Sequence, residues 1–123
     1  MSRAAVAALV DVLLVVAFVL LGRRTHEGVG DLAGIATTAW PFLTGLASGW
    51  LAARAWRRPR SVLPTGVTVW AATVLVGMLL RAVSGQGTAP SFVVVATVVL
   101  GVFLIGWRLL SMPRTGRTDA ERR

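Results

Sequence analysis

The chain has 123 residues, 55% of them hydrophobic and only 15% charged, with a mean hydropathy of +0.73; that is one domain at most, with too little polar surface for a soluble fold. All thirteen basic residues are Arg, against five acids and a net charge of +8, and they sit in short clusters between long apolar runs, which fits membrane-topology signals and sets aside nucleic acid as a partner. Cysteine is absent, which excludes disulfides, thiol catalysis and thiolate metal sites.

The first apolar run, Ala4 to Leu21, is interrupted only by Asp11 and reaches about 27 Å as a helix, enough to cross a bilayer. No small-x-small cleavage site follows it, since Leu21 leads into Gly22-Arg23-Arg24, so it is expected to remain as an uncleaved helix. The second run, Leu32 to Ala53, is less apolar: it holds Thr37, Thr38, Pro41, Thr44 and Ser48, with Gly34, Gly45 and Gly49 inside and Gly30 flanking. Small and hydroxyl residues at this density suit a helix packed against other helices. Pro41 removes a backbone donor and crowds the Thr37 carbonyl, so a kink is expected there. The alternative for this run is a re-entrant or interfacial segment; a length of about 22 residues favours a span.

The third run is Val62 to Leu80, where Pro64 suits a first-turn position. The fourth is Ser91 to Leu110, after the turn-rich Ser84-Gly85-Gln86-Gly87-Thr88-Ala89-Pro90. Its Phe92-Val93-Val94-Val95 stretch would argue for strand in water, but in lipid a run this long must satisfy its own backbone, and helix wins. Residues 111–123 read as a polar, disordered cytoplasmic tail. The predicted fold is all-α: a four-helix transmembrane bundle of two hairpins over residues 1–110, with spans at about 4–21, 32–53, 62–80 and 91–110.

Counting Arg orients it. Arg3, the middle loop (Arg54, Arg57, Arg58, Arg60) and the C-terminal end (Arg108, Arg114, Arg117, Arg122, Arg123) outnumber Arg23, Arg24 and Arg81 on the other side, which places both termini in the cytoplasm. Around the first helix alone the charges conflict, and the middle loop decides. Trp50, Trp56 and Trp107 fall near the inner helix ends, where an aromatic belt is expected. Trp40 and Trp70 lie deeper and read as packed between helices or against lipid rather than as a ligand cage. Gly49-Trp50 and Gly106-Trp107 occupy similar places in the two hairpins, too little by itself for a duplicated hairpin.

Asp11 is the sharpest candidate for chemistry, because an ionisable group inside a span costs about 2.5 to 3.5 kcal/mol on insertion scales and faces a partner or water. It sits about 10 Å from the cytoplasmic end. One reading is a proton or cation site; the other, favoured by a single carboxylate near arginines, is a structural pair with Arg108 or Arg54. On the outer loop His26, the single His of the chain, lies beside Glu27 and reads as a general base, a pH-sensitive group or a solvated charge, with no companion ligands at metal spacing. Arg81 ends the third helix without a polar flank and is expected to anchor to lipid phosphate or to Asp31. Gly45-Leu46-Ala47-Ser48-Gly49 is a GxxxG ridge, suited to packing within the bundle first and to a homo-oligomer or membrane protein partner second.

Asp11, Gly22-Arg23-Arg24-Thr25-His26, Ala39-Trp40-Pro41-Phe42, Gly45 to Trp50, Pro64-Thr65-Gly66 through Trp70 to Gly77-Met78-Leu79-Leu80-Arg81, and Gly106-Trp107-Arg108 together resemble an uncharacterised, domain-of-unknown-function family of short four-span prokaryotic membrane proteins. The likeness covers nearly all the chain apart from the tail. It implies a four-helix membrane domain and carries no active site to transfer.

The function expected is that of a non-enzymatic helical module or accessory subunit of the prokaryotic plasma membrane, surrounded by the lipid bilayer, without a cofactor, a metal or a nucleic acid. The alternatives are a small oligomeric transporter or channel subunit using Asp11, with Pro41 and the hydroxyls of Thr37, Thr38 and Thr44, or a lipid-directed enzyme using His26 with Glu27 and Arg81.

Overall fold

The computed structural model describes residues 2–26 and 32–111, and for residues 23–26 the backbone alone. Its elements are α1 (Arg3–His26), α2 (Leu32–Ala53), a wide turn at Val62–Gly66, α3 (Val67–Val83) and α4 (Pro90–Leu110). The described residues contain no strand, as the requirement for internal backbone hydrogen bonding in lipid predicts. Three of the four helical segments, Arg3–Gly22, Val62–Val83 and Pro90–Leu110, are long and apolar enough to cross a membrane. α2 has the length, 22 residues, but not the apolarity.

The boundaries of α2 and the end of α4 fall where the apolar runs place them. α1 runs on past Leu21 through Arg23 and Arg24 to His26. The third run opens with the wide helical turn Val62–Gly66 and continues as α3 from Val67; within that turn only Leu63 departs from helical backbone, so Pro64 directly follows the kink, at the start of the continuous helical stretch. There Leu63 is extended (φ −119°, ψ 131°), the conformation the Pro ring enforces on its predecessor, and the Gly66 amide donates to the Ser61 carbonyl at 2.9 Å. The Leu63–Pro64 peptide bond is cis. α2 is continuous through Pro41, which is itself buried. The tail, apart from Ser111, lies outside the described residues.

Each helix buries one stripe. On α1 it is Ala7, Asp11, Val15, Phe18 and Val19; on α4 it is Ala96, Leu100, Leu104 and Arg108, steps of four residues that keep one face inward. The opposite faces carry exposed Leu13, Leu75, Leu79, Val94, Val98 and Val102, more outward apolar surface than a water-exposed monomer shows. α2 and α3 pack closest. A Cβ on Gly45 would stand 2.9 Å from Thr73 Cα, and one on Gly49 would stand 2.8 Å from Val69 Cα, so any larger side chain would push the two backbones apart. The GxxxG ridge therefore serves packing within the chain.

Several hydroxyls are absorbed locally. Thr37 and Thr38 donate to the carbonyls of Ala33 and Gly34, Ser48 to that of Thr44, and Thr73 to that of Val69, each a bond to the preceding helical turn. In the half of the bundle away from Asp11, Phe18 and Phe42 meet edge to face with centroids 5.3 Å apart, and Phe92 lies 6.2 Å from both, joining α1, α2 and α4 by geometry favoured between aromatic rings. Trp70 lies across Gly101 and donates to the Thr97 carbonyl at 2.9 Å, so it packs between α3 and α4. Trp40 is 42% exposed on the outside.

α2 and α3 end in the same way. After α3, Gly85 (φ 77°) lets its amide reach the Ala82 carbonyl while Gln86 reaches that of Arg81, a Schellman close. After α2 the corresponding bonds run from Arg54 to Leu51 and from Ala55 to Trp50, but the left-handed position is held by Arg54 (φ 50°). A side chain there costs roughly 1–2 kcal/mol that Gly avoids, partly offset by the chain entropy that Gly loses on folding. Arg54→Gly is therefore expected to raise stability by about 0.5–1 kcal/mol, read as a higher melting temperature in detergent; a lower one would mean that the exposed side chain holds something.

Candidate functional site

Among the described residues two ionisable groups are fully buried inside the bundle, and both occupy core positions of their helical stripes. Asp11 stands on the third turn of α1 and Arg108 in the last turn of α4, each fully buried. Because α4 ends at the level where α1 begins, the two stripes bring carboxylate and guanidinium face to face. Arg108 Nη1 donates to Asp11 Oδ1 at 2.8 Å and Nη2 to Oδ2 at 2.7 Å, a bidentate fork.

Two indoles complete the carboxylate's surroundings. Trp107 Nε1 donates to Oδ1 and Trp50 Nε1 to Oδ2, both at 2.8 Å. An ionised carboxylate has about four acceptor positions, and here four donors fill them. The guanidinium is matched in turn: Nε donates to the Pro59 carbonyl at 2.9 Å and Nη1 to the Leu104 carbonyl at 3.0 Å. Its carbon lies 4.8 Å from the Trp107 ring centroid, within cation–π range. Room for the arginine stem comes from Gly66, where a Cβ would stand 3.0 Å from Arg108 Cδ. Among the described residues the buried side-chain polar atom left unpaired is Thr65 Oγ1, next to that glycine.

The cluster thus ties α1, α2, α4 and the loop between α2 and α3 to one carboxylate. Its stability follows from completeness. A bare charge in a membrane span is expensive, and the same two charges, with the four acceptor positions of the carboxylate and four of the five N–H donors of the guanidinium engaged, are tolerated because the bonds offset desolvation. Such a carboxylate has no acceptor position left open for a ligand. As arranged, it does the work of a strut.

Of the residues singled out in the sequence, the structure joins Asp11 to Arg108. Arg54 takes no part: its side chain is exposed and its role is the backbone turn described above. Arg81 turns back onto its own hairpin, with Nη1 on Gln86 Oε1, Nη2 on the Gln86 carbonyl, Nε on the Gly87 carbonyl, and the guanidinium 4.4 Å from the Phe92 centroid. The side chain of His26, and Glu27 and Asp31 entirely, lie outside the described residues. Among the described residues no group of His, Cys, Asp and Glu is placed to hold a metal ion.

Trp50 and Trp107 are the site residues that sequence reasoning assigned elsewhere, to an aromatic belt. The signal for them was present in the paired Gly49-Trp50 and Gly106-Trp107 steps. The two tryptophans approach the same carboxylate from α2 and α4.

If the site is a strut, apolar replacement of both charges will be milder than removal of one. Arg108→Met alone should cost about 3–5 kcal/mol by stranding Asp11, and Asp11→Leu a similar amount. The double variant should recover most of the loss, measured by thermal unfolding in detergent. Equal or additive losses in the double variant would refute a purely structural pair.

No curated protein and no solved structure matches the chain. A family does. Residues 8–111, from just before Asp11 to just past Arg108, match the family described as Protein of unknown function (DUF3054), and since the match takes in most of the chain and the whole Asp11 cluster, the protein is a member of that family.

Proposed function

We propose that the chain is a four-span, multi-pass protein of the prokaryotic plasma membrane, with both termini and the middle loop in the cytoplasm, acting as a non-enzymatic helical module or accessory subunit. The observation that carries this reading is the saturation of Asp11: the one carboxylate among the described residues is held by Arg108, Trp50 and Trp107. That favours architecture over turnover.

A fourth crossing by α2 is supported by its neighbours. α1 begins, and α2 ends, near the same end of the molecule, since Trp50 in the last turn of α2 reaches Asp11 and since Arg3 and Arg60 line one cleft. A helix that runs antiparallel beside a span, over 22 residues, traverses the same thickness. The excess of Arg at that end favours the cytoplasmic side. A self-associating or accessory role would use outward faces of the bundle, because Gly45 and Gly49 are taken up by α3.

Fusions of two reporters test the topology. A fluorescent protein joined after either terminus should light up, and alkaline phosphatase should be active when inserted at residues 27–31 or 85–88. Termini on opposite sides would reduce the protein to three crossings. The activity reading is tested in liposomes: proton and ion flux with the purified protein should equal that of empty vesicles. Flux that is present with the natural chain and lost with Asp11→Asn would replace the module by a transporter.

A further inference from the structure

We infer that the inner end of the bundle holds a binding site for the phosphate headgroup of an anionic phospholipid. The site is a cleft of about 330 Å³ lined by Arg3, Val6, Ala7, Arg60 and Trp107. It lies between the first turns of α1, the loop before α3 and the last turn of α4, at the level where the helices leave the apolar layer.

The charges at this cleft are uncompensated. Asp11 is the sole carboxylate among the described residues, and its acceptor positions are occupied by Arg108 and two indoles. Arg3 and Arg60 are exposed, and no hydrogen bond or ion pair engages either guanidinium among the described residues. Arg54, Arg57 and Arg58 add further positive charge to the same loop, and the positive end of the α1 dipole opens there as well. A phosphate is the anion that two guanidinium forks suit best.

The rest of the lining is apolar, which separates a lipid from a free anion. Val6 is 46% exposed and Ala7 closes the wall, while Trp107 is fixed by its bond to Asp11. Guanidinium groups above an apolar wall match a phosphate joined to glycerol and the first methylenes of an acyl chain. A free phosphate would leave that wall uncovered. The inference rests on α1 and α4 being membrane spans, and it holds for either orientation.

The test uses the full chain purified in mild detergent and native mass spectrometry with added phosphatidylglycerol or phosphatidylcholine. One phosphatidylglycerol per chain should be retained in preference to phosphatidylcholine. Arg3→Gln with Arg60→Gln should weaken its retention on the order of tenfold, with the melting temperature unchanged. Arg57→Gln with Arg58→Gln, which removes the same charge outside the cleft, should weaken retention far less than the cleft pair does. Equal retention of both lipids, equal loss in the two double variants, or displacement of the lipid by millimolar inorganic phosphate would each overturn the inference. So would retention that emerges only with Asp119→Asn and Glu121→Gln, which would assign the cleft to the chain's own tail. A chain released from membranes by alkaline carbonate would instead refute the spans themselves.

Discussion

The bundle is organised by a charge that has to be hidden. Asp11 sits on the inward stripe of α1 among Ala7, Val15 and Phe18, in a place where a fourth apolar residue would pack without cost. Once it is there, the surrounding structure must supply donors. Arg108 is the donor with matching charge, and its position on the α4 stripe fixes how α4 lies against α1. Trp50 and Trp107 fill what the guanidinium leaves, which ties the end of α2 to the same point. The Pro59 carbonyl takes Arg108 Nε and draws in the middle loop. Gly66 is a glycine because the arginine stem passes over it.

Among the described residues the arginines have separated into different physical roles. One is buried in the ion pair, one folds onto Gln86, Gly87 and the Phe92 face, and several stand exposed at the inner end. Arginine suits all of these places because it keeps its charge when buried and presents its donors in a planar fork. The half away from Asp11 has no buried ion pair among the described residues and is held instead by the three phenylalanines and by the glycine contacts of α2 with α3. A bundle locked by charge at one end and by ring packing along the other half has little need of polar residues between, and its outward surface is correspondingly apolar.

The hydroxyls and the proline of α2 illustrate why polar residues in a span need not mark a path. Thr37, Thr38 and Ser48 spend their donors on the preceding turn of their own helix. Thr37 and Thr44 face outward, away from Asp11. What α2 gains from its small residues is proximity to α3, where backbone meets backbone. Its lower apolarity follows from that packing and from the hydroxyls it keeps for itself.

Much of this was legible in the sequence. Four apolar runs, the bounds of α2, the helical rather than extended state of Phe92 to Val95, and the need of Asp11 for a partner all follow from length, hydropathy and the cost of a charge in lipid, which are local or additive properties of the chain; the family resemblance rests on the motifs themselves. The choice of Arg108 over Arg54 was not legible, because it depends on which faces of α1 and α4 meet; nor was the diversion of Trp50 and Trp107 from the interface to the carboxylate, although the repeated Gly-Trp step hinted at it. Each is decided by three-dimensional register among helices far apart in sequence, and so the sequence determined that Asp11 must be paired, while the tertiary structure decided with what.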